Sequence, residues 1–139
     1  MERKEWTVDG DGRSMVINPI IEQVLRSLSN NVSWLQNTDD IQPDQFIVWA
    51  EDDARPSLVG DNHPLIMSYW LQISLYTRCG LSEAIDPTVK TAEIIDALIH
   101  AKFIITEYPS TIMDISGYYH TMMRVRYDVY TGGRSYVSV

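Results

Sequence analysis

One cysteine and three histidines are the residues of this chain whose types could support covalent catalysis. A cysteine becomes a nucleophile when an adjacent base or a helix N-terminus holds it as the thiolate, and His63, His100 and His120 are the possible bases for Cys79. The segment around Cys79 carries no signature of a cysteine hydrolase, and the residue stands directly before a glycine at the end of an alternating stretch. The sequence therefore predicts a structural role for Cys79. A lone strand histidine such as His120 is also more often structural than catalytic.

Carboxylates are concentrated between residues 51 and 64, and oxygen-rich loops bind Ca²⁺ or Mg²⁺. The spacing of a calcium-binding loop, which closes with a glutamate, is missing there. Residues 9–12, Asp-Gly-Asp-Gly, begin such a pattern, but Arg13 occupies a ligand position. We therefore expect solvated segments, with no metal and no cofactor. A small metal-dependent hydrolase or nuclease stays open as an alternative, and its ligands would come from Asp52, Asp53, Asp61 and His63.

The composition of the 139 residues, with 45% hydrophobic and 22% charged side chains, is that of one soluble globular domain. The net charge of −8 argues against a general nucleic-acid binder, which needs a basic surface, and against adhesion to anionic membranes. A single cysteine allows no intramolecular disulfide, so an oxidising compartment is not required. The seven glycines form no phosphate-binding loop. We expect no signal peptide and a chain that is made in a cytoplasm.

Two Asn/Asp-Pro pairs mark the expected beginnings of two helices, because Asn and Asp cap helices and proline suits the first helical position. Asn18-Pro19 predicts a helix over 19–29, and Asp86-Pro87 predicts a helix over 87–101. We expect residues 1–14 to form an arm, residues 15–131 a single domain and residues 132–139 a flexible tail. The apolar stripe of the second helix is expected to consist of Val89, Ala92, Ile95, Leu98 and Ile99.

The remaining pattern predicts a mainly antiparallel sheet of about four strands. A short strand over 46–50 precedes a polar loop over 51–64, and a connection over 32–43 precedes that strand. A strand that Pro109 interrupts at a sheet edge begins at Ile104, and residues 112–116 are its continuation or a loop. With two helices on one face of this sheet, the predicted fold class is an α+β two-layer sandwich.

Two long strands, near 66–77 and 117–130, alternate with period two, which indicates one buried and one outward face for each. The buried side chains are expected to be Tyr69, Leu71, Ile73 and Leu75 in the first strand and Met123, Val125, Tyr127 and Val129 in the second. The opposite face carries aromatic, Arg and Gln side chains, types enriched where proteins meet proteins. Strands pair with their buried faces together, so we expect the outward faces to coincide as well. The sequence thus predicts an interface formed by Trp70, Gln72, Tyr76, Arg124, Arg126 and Tyr130, with Asp52, Asp53 and Arg55 of the acidic loop.

The arrangement of these elements resembles the tail terminator (tail completion) proteins of long-tailed bacteriophages. The matching elements are the helix Pro19–Ser29, the β-run with its acidic end Phe46–Asp53, the strand Tyr69–Tyr76, the helix Thr88–Ala101 and the strand Gly117–Tyr127. The third of these is similar to the apolar-Gln-apolar-x-apolar-aromatic strand of the family. The last is similar to the final Tyr/His-rich strand of the family, which ends in alternating Arg and apolar residues.

The resemblance implies a homohexameric ring in the virion, assembled in the host cytoplasm, that caps the finished tail tube and stops its polymerisation. The implied partners are sister subunits, the tail tube protein and a head-side connector or neck protein, with no membrane and no specific nucleic-acid binding, although DNA could pass through the ring. The family has no catalytic residue to carry over. Another neck component, a head–tail joining or head-closure protein, is the alternative within the same class.

Overall fold

The computed structural model describes residues 17–34, 43–60, 63–80, 86–113 and 117–130, without the side chains of residues 63–65. The α+β class is confirmed. Within the described residues, the sheet has five strands rather than about four. The predicted arm, 1–14, and the predicted tail, 132–139, lie outside the described residues. The elements in chain order are α1 (Ile17–Arg26), β1 (Val32–Trp34), β2 (Gln45–Gly60), β3 (His63–Arg78), α2 (Pro87–His100), β4 (Ile104–Met113) and β5 (Tyr118–Tyr130).

The strands lie in the order β1-β2-β3-β5-β4; among the described strands the β1–β2 pair is parallel and the other three pairs are antiparallel. The additional strand is β1, which occupies part of the segment predicted to be a connection. It pairs through Val32 with Ile47 and through Trp34 with Trp49. β3 therefore lies at the centre of the sheet, and β4 forms one edge.

The predicted buried faces are confirmed by one apolar cluster. Leu71, Ile73 and Leu75 of β3 and Met123 and Val125 of β5 are fully buried in it, as alternation requires. Both helices contribute residues to the same cluster, at a spacing of four, which places them on one side of each helix. These helical residues are Ile17, Ile21 and Leu25 of α1 and Ile94 and Leu98 of α2. The predicted apolar stripe of α2 was partly wrong. Leu98 is buried as expected, but Val89 and Ile99 are 53% and 52% exposed, and the second buried residue is Ile94.

The two helix starts differ in how well the sequence predicted them. Asp86 caps α2 as expected, because its carboxylate accepts a hydrogen bond from the backbone N–H of Thr88 at 2.7 Å, and Pro87 is the first helical residue. The first helix runs over Ile17–Arg26 instead of 19–29, so Asn18 is not its cap. Pro19 then lies within the first turn, where a missing N–H costs no intrahelical hydrogen bond.

The prediction of a polar loop over 51–64 was wrong for residues 51–60 and 63–64, which are strand, and residues 61–62 lie outside the described residues. β2 continues to Gly60 and pairs with the beginning of β3, through Ala54 with Tyr69 and Arg55 with Ser68. Three register shifts, between residues 51 and 59, accommodate the extra residues as β-bulges. A strand rich in Asp and containing Pro56 is tolerated because no described strand pairs with the other side of this part of β2.

The prediction for β4 is confirmed, including the position of proline. β4 is an edge strand, and its pairing with β5 shifts register between Ile105 and Glu107 and again between Glu107 and Ser110, around Pro109. Of the two possibilities for residues 112–116, the described part of this range, Ile112 and Met113, continues the strand.

Candidate functional site

The candidate site is the sheet face opposite the apolar cluster, which we call the Trp70 face. The register of β3 with β5 sets Trp70 opposite Arg126, Gln72 opposite Arg124 and Tyr76 opposite His120. The expected coincidence of the two alternating faces is therefore present in the sheet. Two halves follow one another along the strands of this face. The charged half consists of Asp52, Asp53, Arg55, Trp70, Gln72, Glu107, Arg124, Arg126 and Asp128, and the apolar half consists of Phe46, Val48, Tyr76, Ile112, Tyr118, His120 and Met122.

Arg124 is the centre of the charged half. Its Nη1 donates to Glu107 Oε2 at 2.7 Å, its Nε to Asp52 Oδ2 at 3.3 Å and its Nη2 to Gln72 Oε1 at 3.3 Å. One guanidinium thus joins side chains of β2, β3 and β4 to β5. The hydrogen bond to Glu107, followed by the attraction of Glu107 and Asp52, raises the pKa of Arg124, so the group stays charged.

Two local distortions bring the carboxylates to Arg124. Asp52 is the extra residue of a β-bulge in β2, and bulges redirect side chains. Glu107 lies between the two register shifts of β4. Strand alternation alone does not encode either distortion, so sequence reasoning missed Glu107 as a member of the site.

The other two arginines of the charged half also have partners within the chain. Arg126 Nε and Nη2 donate to the two carboxylate oxygens of Asp128 at 3.1 and 3.2 Å, and Ser68 Oγ donates to Asp128 at 2.6 Å. The guanidinium of Arg55 lies 4.7 Å from the centre of the Trp70 ring, at cation–π distance, and its Nε is 3.3 Å from Asp53. Every arginine of this half is therefore neutralised by a carboxylate of the same chain.

The apolar half is built around a row of stacked rings. The Phe46 and Tyr76 rings stack with centres 4.9 Å apart, and the Tyr76 and His120 rings stack with centres 4.4 Å apart. The row crosses β2, β3 and β5. On β4 it ends at Ile112, which is the register partner of His120. The side chain of Ile112 is 63% exposed. Cross-strand aromatic pairs of this kind stabilise sheets. The row connects the buried interior of this face to the sheet edge.

Tyr118 closes the apolar half at one end of the sheet. Its ring meets Phe46 edge-on, with centres 5.7 Å apart, and its hydroxyl donates to the carbonyl of Pro43 at 3.1 Å. The guanidinium of Arg78 lies over the Tyr118 ring, 5.1 Å from its centre, and Arg78 Nε pairs with Asp44 at 2.8 Å. Phe46, Tyr118 and Ile112 were not predicted as site residues. Their alternation was visible in the sequence, but their neighbours were known only from the register.

The predicted interface residues are therefore divided between different parts of the face. Tyr76 belongs to the ring row. Tyr130 is 75% exposed at the end of β5, opposite Ile66. The other predicted residues, Trp70, Gln72, Arg124 and Arg126 with Asp52, Asp53 and Arg55, come together in the charged half.

The candidate catalytic residues are dispersed. His63 and Cys79 lie at opposite ends of the long strand β3, which at about 3.3 Å per residue separates them by about 50 Å. Cys79 follows the last residue of β3, and its backbone N–H donates to the Gly117 carbonyl at 3.0 Å. His100 is the final residue of α2, and His120 belongs to the ring row.

The described residues contain no group of three or more His, Cys, Asp or Glu side chains that could hold a metal ion. Asp61, one of the candidate ligands, lies outside the described residues. Asp52 and Asp53 instead meet Arg124 and Arg55. In the same part of the chain, no helix has the length and apolar character needed to cross a bilayer.

Glu51 is a half-buried carboxylate beside the bulge. Its Oε1 is enclosed and has no hydrogen-bond partner in the described part of the chain. Burial, followed by the negative charge of Asp53, raises the pKa of Glu51. Its charged form therefore destabilises the folded state at neutral pH.

Comparison with protein-family models finds no match to this chain, and comparison with curated proteins also finds none.

Proposed function

We propose that this protein is a structural virion protein, the tail terminator of a long-tailed bacteriophage. In this proposal, identical subunits form a homohexameric ring that caps the tail tube, stops its polymerisation and joins it to the neck. The observation that carries the proposal is the Trp70 face. It spans four strands, and its apolar half reaches the sheet edge at the exposed Ile112.

The proposal includes the layered arrangement of the fold. The buried residues of α1 and α2 share one cluster with the alternating residues of β3 and β5. That sharing supports a two-layer sandwich with both helices on one face. The two described helices would then leave the Trp70 face uncovered and available to a partner.

A closed ring needs two different surfaces on each subunit, since the contact between neighbours is heterologous. The Trp70 face supplies one candidate. The other is the end of the β2–β3 hairpin, beyond the charged half of the Trp70 face, where Leu58 and Val59 are 49% and 57% exposed although they are paired in a strand. The described part of β5 ends opposite Ile66, so the hairpin is a two-stranded ribbon beyond that level. Such a ribbon is marginally stable in water on its own, so contact with a partner would stabilise this end.

The contacts of the acidic residues argue against the metal-dependent hydrolase. A metal ion bound by Asp52 and Asp53 would have to compete with the guanidinium groups of Arg124 and Arg55, which lie 3.3 Å from these carboxylates. A cation close to a site reduces the affinity of that site for a second cation. The proposed role uses no catalytic residue.

The test is a tube-growth assay with the tail tube protein of the same phage. Electron microscopy would measure tube length with and without this chain, and the purified protein should halt elongation and be found at one tube end. A neck component of another type would leave the tubes unchanged and bind the head-side connector instead. Tubes that neither stop growing nor carry the protein would refute the terminator function.

A further inference from the structure

Part of the apolar pattern of α2 remains exposed in the fold. The buried residues of this helix lie on one side of it, whereas Val89, Ala92 and Ile99 are exposed. At 100° per residue, these three residues and Asp96 fall within about 80° of the helix circumference, on the side opposite the buried residues. We call Val89, Ala92, Asp96 and Ile99 the outer stripe of α2.

The other helix has no such stripe. The exposed residues of α1 are Pro19, Gln23 and Arg26, so its outer side is mainly polar. A surface helix typically carries polar residues opposite its buried face, and a helix that is apolar all round is buried all round. α2 is intermediate between these cases, because it adds a second, narrow apolar stripe to its buried side. The outer stripe is therefore suited to a contact that the single chain does not supply.

The spacing of the outer stripe fits a second helix. Positions 89, 92, 96 and 99 follow one another by steps of three, four and three residues, which is the a/d spacing at which two helices pack along a narrow seam. The stripe runs along about three turns of α2, or about 15 Å of helix axis. An amphipathic helix of similar length, with apolar side chains at the same spacing, would cover it.

Asp96 determines the charge that a covering helix must carry. Among the described residues its carboxylate has no ion-pair or hydrogen-bond partner, and His100, one turn further along α2, does not pair with it. Lys90 is engaged elsewhere, because its Nζ lies 3.0 Å from Glu93 and donates to the Leu28 carbonyl at 3.0 Å. A helix on the stripe would bury Asp96, and a buried carboxylate without a counter-ion is strongly destabilising. The covering helix must therefore bring a Lys or Arg side chain opposite Asp96.

We propose that the outer stripe of α2 binds an amphipathic helix of another protein, with a Lys or Arg of that helix opposite Asp96. This surface is separate from the Trp70 face and does not rest on the proposed terminator function. A second copy of this chain that used the same stripe would fit less well, because it would add a second Asp96 without a cation to the contact. Two chains with a net charge of −8 also repel each other, whereas a basic helix is attracted.

The test uses two synthetic helical peptides of about 20 residues and fluorescence anisotropy on the full chain. Both peptides carry Leu at the a and d positions and Ala and Gln elsewhere, and one central position is Lys in the first peptide and Glu in the second. The wild type should bind the Lys peptide, and V89S/I99S should weaken this binding about tenfold or more. I112S/M113S is the control, since Ile112 and Met113 are exposed apolar residues of β4, and it should bind as the wild type does. All substituted side chains are exposed, so circular dichroism should show unchanged folding.

A charge reversal distinguishes this contact from a general attraction between a basic peptide and an acidic chain. D96K should prefer the Glu peptide, whereas the wild type should prefer the Lys peptide. A wild type that does not bind the Lys peptide, equal weakening by I112S/M113S, or an unchanged preference in D96K would overturn the proposal. Sedimentation velocity tests the other occupant: loss of self-association in V89S/I99S would show that a second copy covers the stripe, and that result would overturn the proposal too.

Discussion

The two halves of the Trp70 face lie on the same four strands and follow the same alternation, yet the interactions between their side chains differ. In the charged half, Arg124 and Arg126 are hydrogen-bonded to carboxylates of their own chain. In the apolar half, Phe46, Tyr76 and His120 stack across three strands. The apolar row ends in an exposed side chain, whereas the arginines of the charged half pair with carboxylates of the same chain. Residue types that are typical of interfaces therefore do not show which part of a face is available.

The two halves should differ in their contribution to stability, because Phe46, Val48 and Tyr118 of the apolar half are buried, whereas every member of the charged half is partly or fully exposed. The largest effect is expected for Phe46→Ala, which removes a ring that is 7% exposed and contacts both Tyr76 and Tyr118. Large-to-small changes of this kind reduce the free energy of unfolding by about 3 kcal/mol. Urea denaturation measures the change. Tyr108→Ala, at an exposed aromatic residue of β4, is the control and should cost less than about 0.5 kcal/mol. Equal effects of the two changes would show that the ring row does not stabilise the fold.

A smaller effect is expected for Tyr118→Phe, which keeps the ring and removes one hydroxyl. The lost hydrogen bond to the Pro43 carbonyl should reduce the free energy of unfolding by about 1 kcal/mol. Tyr130→Phe provides the comparison at a tyrosine that is 75% exposed, and it should leave the thermal midpoint unchanged. A loss as large as that of Phe46→Ala would mean that this end of the sheet depends on the hydroxyl rather than on ring packing.

In the charged half, Arg124→Gln should lower the thermal midpoint only slightly, because exposed ion pairs contribute little and salt screens them. The change nevertheless leaves Asp52 and Glu107 without their shared cation. The difference from the wild type should shrink in 1 M salt. A salt-independent loss would place the charged half among the stabilising cores of the fold and remove the distinction between the halves.

The smallest effect, and one of opposite sign, is expected for Glu51→Gln. The raised pKa of Glu51 means that the folded state favours its protonated form, so stability falls as pH rises from the unfolded value of about 4.5 through the folded value. The neutral amide should therefore raise the thermal midpoint at pH 7, with no gain at pH 4. Because Glu51 is half exposed, the gain should stay below about 1 kcal/mol. A destabilised variant at pH 7 would show that the charged form makes a favourable interaction.

Alternation and helix capping carried most of the fold prediction, because both depend on near neighbours in the sequence. Leu71 and Val125 are buried where period two requires it, and Asp86 caps α2. The strand over 51–60 was missed because its Asp residues and Pro56 are typical of loops, and only pairing with β3 reveals it as an edge strand. Pairing between distant segments is decided by the whole sheet rather than by local composition.

The candidate site was predictable as a face but not as a set of contacts. Register alone brought Gln72 beside Arg124. Asp52 reaches Arg124 from a bulge in β2, and Glu107 reaches it from between two register shifts in β4. No periodic sequence pattern marks these distortions. The contacts of these side chains therefore required the structure, whereas the faces of the regularly alternating strands β3 and β5 did not.

The central claim, a ring of identical subunits, is tested most directly by the mass and symmetry of the purified protein. Light scattering coupled to size exclusion should give a particle of six times 16.0 kDa, and cryo-microscopy should show six-fold top views. A mass that stays at 16.0 kDa across the accessible concentration range, with no symmetric particles, would contradict the account.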